Sequence, residues 1–218
     1  QKENISISEA MKTREITCGT LTSEEIDKKL KTVLTIMKDA VNEPLMQPKR
    51  SMGGLIGGEA KKVSDFGKTD RSVCGSLMSK AISYSMAVLE VNASMGLIVA
   101  APTAGSAGVL PGVLLALQEE KQLSNERLHS AILNASAIGY LLLRNASVSG
   151  AEAGCQAEVG AASAMAASAV VEIMGGTPEM SLEAASIAMS NLLGMVCDPI
   201  AGLVESPCQS RNTIGAAN

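Results

Sequence analysis

Large aromatic side chains are almost absent from this chain, which has two tyrosines, one phenylalanine and no tryptophan among its 218 residues. Alanine, glycine, serine, methionine and leucine fill the sequence instead. Small side chains allow helices to approach one another closely, and methionine fills irregular gaps between them. Sheets favour β-branched and aromatic residues. The composition therefore predicts an all-α fold, a single compact domain of small-residue-rich helices with glycine-rich loops.

Start signals and apolar spacing predict several helices. Thr22 and Glu25 fit a capping box, and apolar residues follow at helical spacing. Because proline disrupts helices, we expect Pro44 and Pro48 to end this one. Further helices are predicted over about 76–95 and 111–122, from a cap at Ser124, over 152–174, and from Thr177 to about 193.

The two ends of the chain differ from its middle. Residues 1–21 form a polar segment, and we expect residues 1–20 to pack poorly because they show no helical periodicity. The domain is expected to cover residues 22–218. Since the sequence stops inside an apolar, helix-compatible stretch at 214–218, we expect the C-terminal part of that domain to be missing.

Charge and hydropathy argue against nucleic-acid and membrane partners. The net charge is −4 and no basic run is present, so the chain lacks the electrostatic pattern of a nucleic-acid or anionic-membrane binder. Residues 92–118 carry no charge, but Pro102, Pro111 and four glycines would interrupt a spanning helix. We interpret this stretch as two buried helix ends around a buried turn.

The five cysteines are an odd number and widely spaced, with no secretory signal. A disulfide framework is therefore not expected, and the chain is predicted to be cytoplasmic. Cys155 is placed near the start of a helix, where the pKa of a thiol is lowered and the metal-binding thiolate is favoured. Spacing alone leaves a metal site and buried, inert cysteines both open.

Three polar or glycine-rich segments interrupt the apolar helices, at residues 101–108, 145–160 and 197–208. Each lies beside a predicted helix start, where backbone amides and hydroxyls can bind an anion such as a substrate carboxylate. Ordinary helix caps would look the same. Residues 51–59 form a further glycine-rich loop without the spacing of a P-loop, and we expect it to allow a close backbone approach.

Several long motifs, in the right order, resemble those of the α chain of bacterial iron–sulfur-dependent L-serine dehydratases. The resemblance runs from about residue 22 to the end of the sequence. It is carried by residues 91–96 (VNASMG), 101–111 (APTAGSAGVLP), 145–158 (NASVSGAEAGCQAE), 197–202 (CDPIAG) and 207–212 (PCQSRN).

This resemblance implies that Cys155, Cys197 and Cys208 hold a [4Fe-4S] cluster whose fourth iron has no fixed protein ligand. Such an iron can act as a Lewis acid on the hydroxyl of L-serine. The implied reaction yields pyruvate and ammonia and requires no PLP. Cys18 and Cys74 match no ligand position.

The same segments supply candidates for the other roles. Proton transfer is assigned to three residues and substrate binding to six, although caps, turns or solvated side chains would explain several of them. The catalytic candidates are Ser147, Ser149 and Lys61, and the substrate-binding candidates are Thr103, Gly105, Ser106, Asn145, Gly150 and Arg211.

Two other functions remain open at this point. A related iron–sulfur enzyme could remove sulfide from L-cysteine, because an open iron can also bind a thiol. A non-catalytic helical assembly module with a structural zinc is the second alternative. The resemblance further implies a β chain as partner and leaves open whether this chain alone is active and whether it forms a homo-oligomer.

Overall fold

The computed structural model describes residues 5–69 and 71–218, and its regular structure is helical. Within those ranges no strand forms, apart from an isolated bridge between Ile200 and Leu203. The all-α prediction is confirmed. The helices are α1 (Ile7–Thr17), α2 (Ser23–Met46), α3 (Glu59–Gly67), α4 (Gly75–Ala93), α5 (Val109–Lys121), α6 (Asn125–Asn145), α7 (Gly150–Ala153), α8 (Cys155–Ile173), α9 (Pro178–Ser190) and α10 (Ser206–Ala217).

Helices α4, α5 and α8 form the centre of the molecule, and one hydrophobic cluster runs through them. Glycine allows α4 and α5 to pack closely: a side-chain carbon at Gly112 of α5 would lie 2.8 Å from the Ala81 carbonyl oxygen and from the Ser85 Cβ of α4. Helix α8 packs between α6 and α9, and its Ala162 and Ala169 are fully buried. The close packing of small residues expected from the composition is thus present.

Helix α2 begins as predicted but ends later. Thr22 and Glu25 form a complete capping box. The expectation that Pro44 ends the helix is wrong, because the helix continues to Met46. Pro44 lies in the last turn, where its missing amide costs the helix one backbone hydrogen bond, and its ring is fully buried.

The prediction that the N-terminal segment packs poorly is wrong for residues 7–17. They form α1, which starts with a capping box between Ser6 and Glu9 and packs against α6. Ser8 is buried, and its amide donates a hydrogen bond of 3.3 Å to Glu172 of α8. Polar contacts thus add to the packing of Met11 against the core, and too few apolar residues are present for a helical periodicity to show in the sequence.

Other helix starts are confirmed at Ser124 and Thr177, whose side chains accept hydrogen bonds from amides of the first turn. Besides α1, helices α3, α7 and α10 were not predicted. The start of α3 is capped from a distance, because Glu90 of α4 accepts a hydrogen bond of 2.9 Å from the Ala60 amide. Such a cap leaves no local start signal in the sequence.

The uncharged stretch at residues 92–118 forms two helix ends around a turn, as predicted, but the expectation that the turn is buried is wrong, because Met95 and Leu97 are exposed. It contains the end of α4, an irregular segment with a short 3-10 turn at Ala104–Ser106, and most of α5. Among the residues described, no helix combines the length and the apolar character needed to cross a bilayer.

Candidate functional site

The turn between α7 and α8 brings Cys155 next to the loop that carries Cys197. Gly154 has a φ of +79°, in the left-handed region that glycine adopts without strain. A side-chain carbon there would lie 2.9 Å from the Met195 carbonyl oxygen and 3.7 Å from the Cys197 nitrogen. The Gln156 amide donates a hydrogen bond of 2.7 Å to the same carbonyl. Glycine at position 154 thus lets the two cysteine-bearing segments meet.

Helix α10 brings the third cysteine to the same region. Cys208 is buried in its first turn, and Arg211 follows one turn later. The Nη1 of Arg211 donates a hydrogen bond of 3.2 Å to the Cys155 Sγ. Its Nη2 forms an ion pair with Asp198, the residue after Cys197. One guanidinium therefore connects the segments of all three cysteines.

Asn212 joins the first polar segment to this group. It is fully buried, and its Oδ1 accepts a hydrogen bond of 3.0 Å from the Gly108 amide. Its Nδ2 donates to the Gly105 carbonyl at 2.7 Å and to the Cys208 carbonyl at 2.8 Å. The three segments singled out from the sequence therefore converge, at the starts of α5, α8 and α10.

The Glu158 carboxylate lies where the first two segments meet. It extends from the first turn of α8 and accepts a hydrogen bond from the Thr103 hydroxyl. A side-chain carbon at Gly105 would come within 2.6 Å of one carboxylate oxygen, and one at Gly150 within 2.5 Å of the other. Both glycines therefore leave the space that this carboxylate occupies.

Burial is the main influence on the pKa values of the two buried thiols, those of Cys155 and Cys208. It raises the pKa of Cys155, and the Arg211 guanidinium opposes that rise. Burial also raises the pKa of Cys208 to about 12, with further contributions from the charges of Cys155, Glu158 and Cys197. The expectation that the helix start lowers the pKa of Cys155 is wrong, because the loss of water outweighs it. Binding iron at these sulfurs would have to displace their protons.

The arrangement of donors bears on the kind of metal that could bind. Across residues 5–69 and 71–218, no three or more His, Cys, Asp or Glu side chains are grouped so that they could hold one metal ion. A structural zinc gathers four ligands on one ion. In an iron–sulfur cluster each thiolate binds its own iron, so the sulfurs stand farther apart. Three cysteines from separate segments, with no fourth ligand grouped beside them in the described residues, do not match this zinc pattern.

The remaining candidates of the second segment lie at the end of α6 and the start of α7. The Ser147 hydroxyl donates a hydrogen bond of 2.5 Å to Glu152, and the Ser149 amide donates one of 3.2 Å to the Ser147 Oγ. Asn145 is exposed and bonds the Leu141 carbonyl of its own helix at 2.7 Å. Within the described part of the chain, none of these hydrogen bonds reaches a cysteine.

Ser106 and Lys61 have different surroundings. Ser106 is fully buried, donates to the Ala101 carbonyl at 3.2 Å and lies 3.1 Å from the Thr103 hydroxyl oxygen. Lys61 lies on α3, and its Nζ pairs with Asp65 one turn later at 2.9 Å. Ser106 thus belongs to the convergence of the segments, whereas Lys61 makes a surface ion pair on its own helix.

The glycine-rich loop at residues 51–59 wraps around a carboxylate that the sequence analysis did not single out. Glu205 accepts hydrogen bonds from the Ser51 hydroxyl at 2.6 Å, the Gly53 amide at 2.7 Å and the Leu55 amide at 3.2 Å. A side-chain carbon at Gly53 would lie 2.9 Å from one Glu205 oxygen. The expected close backbone approach is confirmed, and it anchors the residue that precedes α10.

Sequence reasoning left four polar residues of the site without a role: Glu158, Asp198, Glu205 and Asn212. Glu158 lies three positions after Cys155, so both face the same side of a helix. That spacing was a usable signal. Glu205 had none, because its partners are about 150 residues away in the chain.

Comparison with known proteins finds one matching family model and several relatives of high sequence identity. The family model described as serine dehydratase alpha chain matches residues 2–218. The probable L-serine dehydratase, alpha chain, of Bacillus subtilis (strain 168) is 46% identical over 218 residues, all of this chain and 72% of that protein. The L-serine dehydratase, alpha chain, of Peptoniphilus asaccharolyticus is 43% identical over 217 residues, 74% of its length. The L-serine dehydratase TdcG of Escherichia coli (strain K12) is 48% identical over 134 residues, which are 61% of this chain and 30% of that protein.

Proposed function

Because this chain belongs to the serine dehydratase α-chain family, we propose that it converts L-serine to pyruvate and ammonia with a [4Fe-4S] cluster. Cys155, Cys197 and Cys208 would hold the cluster. The family supports the dehydratase activity. One observation supports the cluster proposal: the Arg211 guanidinium links the segments of all three cysteines. Arg211 lies one turn after Cys208 and donates a hydrogen bond of 3.2 Å to the Cys155 sulfur. It also forms an ion pair with Asp198, the neighbour of Cys197.

The bound cluster would supply a Lewis acid for the substrate hydroxyl. The donors fit such a group, since three thiols from different segments could each bind one iron. No PLP is part of the proposal. The zinc-module alternative has no support from the arrangement of the described side chains.

The chain's own residues would bind and orient L-serine. The starts of α5, α8 and α10 carry partial positive charge and suit a carboxylate. Arg211 adds a full positive charge. The remaining substrate-binding candidates are Thr103, Gly105, Ser106, Asn145 and Gly150, of which Asn145 is the most exposed.

The reaction requires removal of the Cα proton and loss of the β-hydroxyl as water. The aminoacrylate released would tautomerise and hydrolyse to pyruvate and ammonia. Ser147 is a candidate for moving a proton, because its hydroxyl is bonded to the Glu152 carboxylate at 2.5 Å. Ser149 and Lys61 stay candidates for the same role.

A β chain is proposed as the partner that completes the enzyme, as the relatives' designation as α chains implies. Exposed apolar side chains beside Cys197 support a covering partner. They are Leu193, Val196, Ile200 and Val204. A homo-oligomer and a cytoplasmic location stay predictions.

The test is to prepare the complete protein with its β chain without oxygen and to measure pyruvate formation from L-serine and from L-cysteine. We expect turnover of L-serine, and we expect Cys208→Ser to abolish it. Cys74→Ser is the matched control, since Cys74 is exposed and assigned no ligand role. Turnover of L-cysteine alone, or an active Cys208→Ser variant, would contradict the proposal.

A further inference from the structure

Glu158 is a partly buried carboxylate without a cationic partner in the described part of the chain. Its recorded polar partner is the neutral Thr103 hydroxyl. A side-chain carbon at Gly105 or Gly150 would come within 2.6 Å of a carboxylate oxygen, so glycine at these positions leaves the space that the Glu158 carboxylate needs. A partly buried carboxylate with one neutral partner can accept further, charge-assisted hydrogen bonds from a positively charged group.

The other charged groups of the site do not supply that charge. Arg211 is directed to Asp198 and to the Cys155 sulfur. Asp198, the other nearby acid, is neutralised by this pair and is 60% exposed. Glu158 therefore differs from Asp198, which has a cationic partner, and from Glu205, whose carboxylate accepts three hydrogen bonds.

An amino-acid zwitterion matches this distribution of charge. Its carboxylate is suited to the helix starts already described. Its α-ammonium requires an acceptor with negative charge. Glu158 lies on the same side of α8 as Cys155, and its charge contributes to the raised pKa of both Cys155 and Cys208, so it is close to the proposed cluster position.

We propose that Glu158 binds the α-ammonium group of the substrate. Thr103, Gly105 and Gly150 hold the Glu158 carboxylate in place for this contact. The inference rests on the proposed function and deepens it. It makes the site selective for α-amino acids over hydroxy acids and simple carboxylic acids of the same size.

The experiment compares two ligands that differ in the α-ammonium group alone, L-alanine and propanoate. Neither has a hydroxyl to eliminate, so binding to the cluster-loaded protein with its β chain can be measured by calorimetry. We expect the native protein to bind L-alanine roughly 10- to 100-fold more tightly than propanoate, the range for a hydrogen bond between charged groups. Glu158→Gln should bring this ratio close to one and leave the Kd of propanoate nearly unchanged.

Matched variants and kinetics sharpen the result. Glu158→Asp keeps the negative charge on a side chain that is one methylene shorter. We therefore expect an intermediate preference for L-alanine over propanoate. Glu183→Gln, at an exposed carboxylate of α9, should keep the native ratio. In the steady state, Glu158→Gln should raise the KM for L-serine by a similar factor and change kcat less.

Three outcomes would overturn the role of Glu158. The first is a native protein that binds L-alanine and propanoate equally well. The second is a Glu158→Gln variant that keeps the native preference for L-alanine. The third is a Glu158→Gln variant that keeps this preference but loses kcat, which would assign Glu158 to proton transfer. If Glu158→Gln does not hold its cluster, the affinity ratios of the native protein and of Glu158→Asp test the role of Glu158 instead. Absence of iron or of L-serine turnover in the native protein would instead contradict the proposed function.

Discussion

The Glu205 carboxylate accepts a hydrogen bond of 2.6 Å from the hydroxyl of Ser51, which is 154 residues away in the chain. The amides of Gly53 and Leu55 donate to the same carboxylate. Since Glu205 directly precedes α10, this contact holds the glycine-rich loop against the helix that carries Cys208. The loop thus supports the cysteine site without containing any of its ligands.

Replacing this carboxylate should destabilise the fold. Glu205→Gln keeps the shape of the side chain but weakens three hydrogen bonds to a charged group. We expect the free energy of unfolding to fall by roughly 1–3 kcal/mol, measured by urea denaturation of the complete protein without its cluster. Glu183→Gln, on an exposed position, is the control and should stay within about 0.5 kcal/mol of native. Equal stabilities of the two variants would contradict the role of Glu205.

The pH dependence of that difference has a definite sign. The hydrogen bond from Ser51, followed by those from Gly53 and Leu55, lowers the pKa of Glu205. A lowered pKa means that the contribution to stability is full above the unfolded-state pKa of about 4.3 and is lost as the pH falls through the folded value. The difference in free energy of unfolding between the native protein and Glu205→Gln should therefore shrink as the pH is lowered below about 4. An advantage that grows in acid would refute this assignment.

Thiol accessibility should divide the cysteines into two classes. Cys18, Cys74 and Cys197 are exposed, whereas Cys155 and Cys208 are buried. In the cluster-free protein, iodoacetamide should modify the first three rapidly and the other two slowly, since reaction needs an accessible thiolate. Loading the cluster should protect Cys197 and leave Cys18 and Cys74 reactive. Mass spectrometry of peptides gives each rate, and an unprotected Cys197 would argue against its role as a ligand.

The contact between α4 and α5 should tolerate no added side chain. A methyl group in Gly112→Ala would meet the rigid Ala81 carbonyl oxygen at 2.8 Å. We expect a loss of roughly 1–3 kcal/mol in unfolding free energy. Gly160→Ala is the matched control on α8, because its nearest neighbour would be Met189 at 3.8 Å. That variant should be as stable as native or more stable by up to about 1 kcal/mol, since alanine favours helices. Thermal unfolding of both variants would separate the two cases.

Local chemistry made much of the fold predictable. Thr22, Ser124 and Thr177 cap helices through side chains that bond amides of the following turn, and that pattern is visible in the sequence. The start of α3 was missed because its cap, Glu90, comes from another helix. Helix α1 was missed because it has too few apolar residues for a helical periodicity to show, and polar contacts, such as that between Ser8 and Glu172, add to its packing.

The candidate site was predictable in its motifs but not in its connections. The three polar segments could be found because they interrupt apolar helices, and their convergence depends on contacts between distant residues. Arg211 was a substrate-binding candidate, yet its bond to Cys155 could not be inferred from a separation of 56 residues. Glu158 lay inside a recognised motif, but its lack of a counter-ion became visible once its neighbours were known.

The central claim is that Cys155, Cys197 and Cys208 together hold an iron–sulfur cluster. The most direct test is the iron and acid-labile sulfide content of the complete protein purified without oxygen, with Cys197→Ala prepared in parallel. The account predicts about four irons and four sulfides per native chain, and loss of both in Cys197→Ala with helical content unchanged by circular dichroism. A native protein without iron, or a Cys197→Ala variant with a full complement, would contradict it.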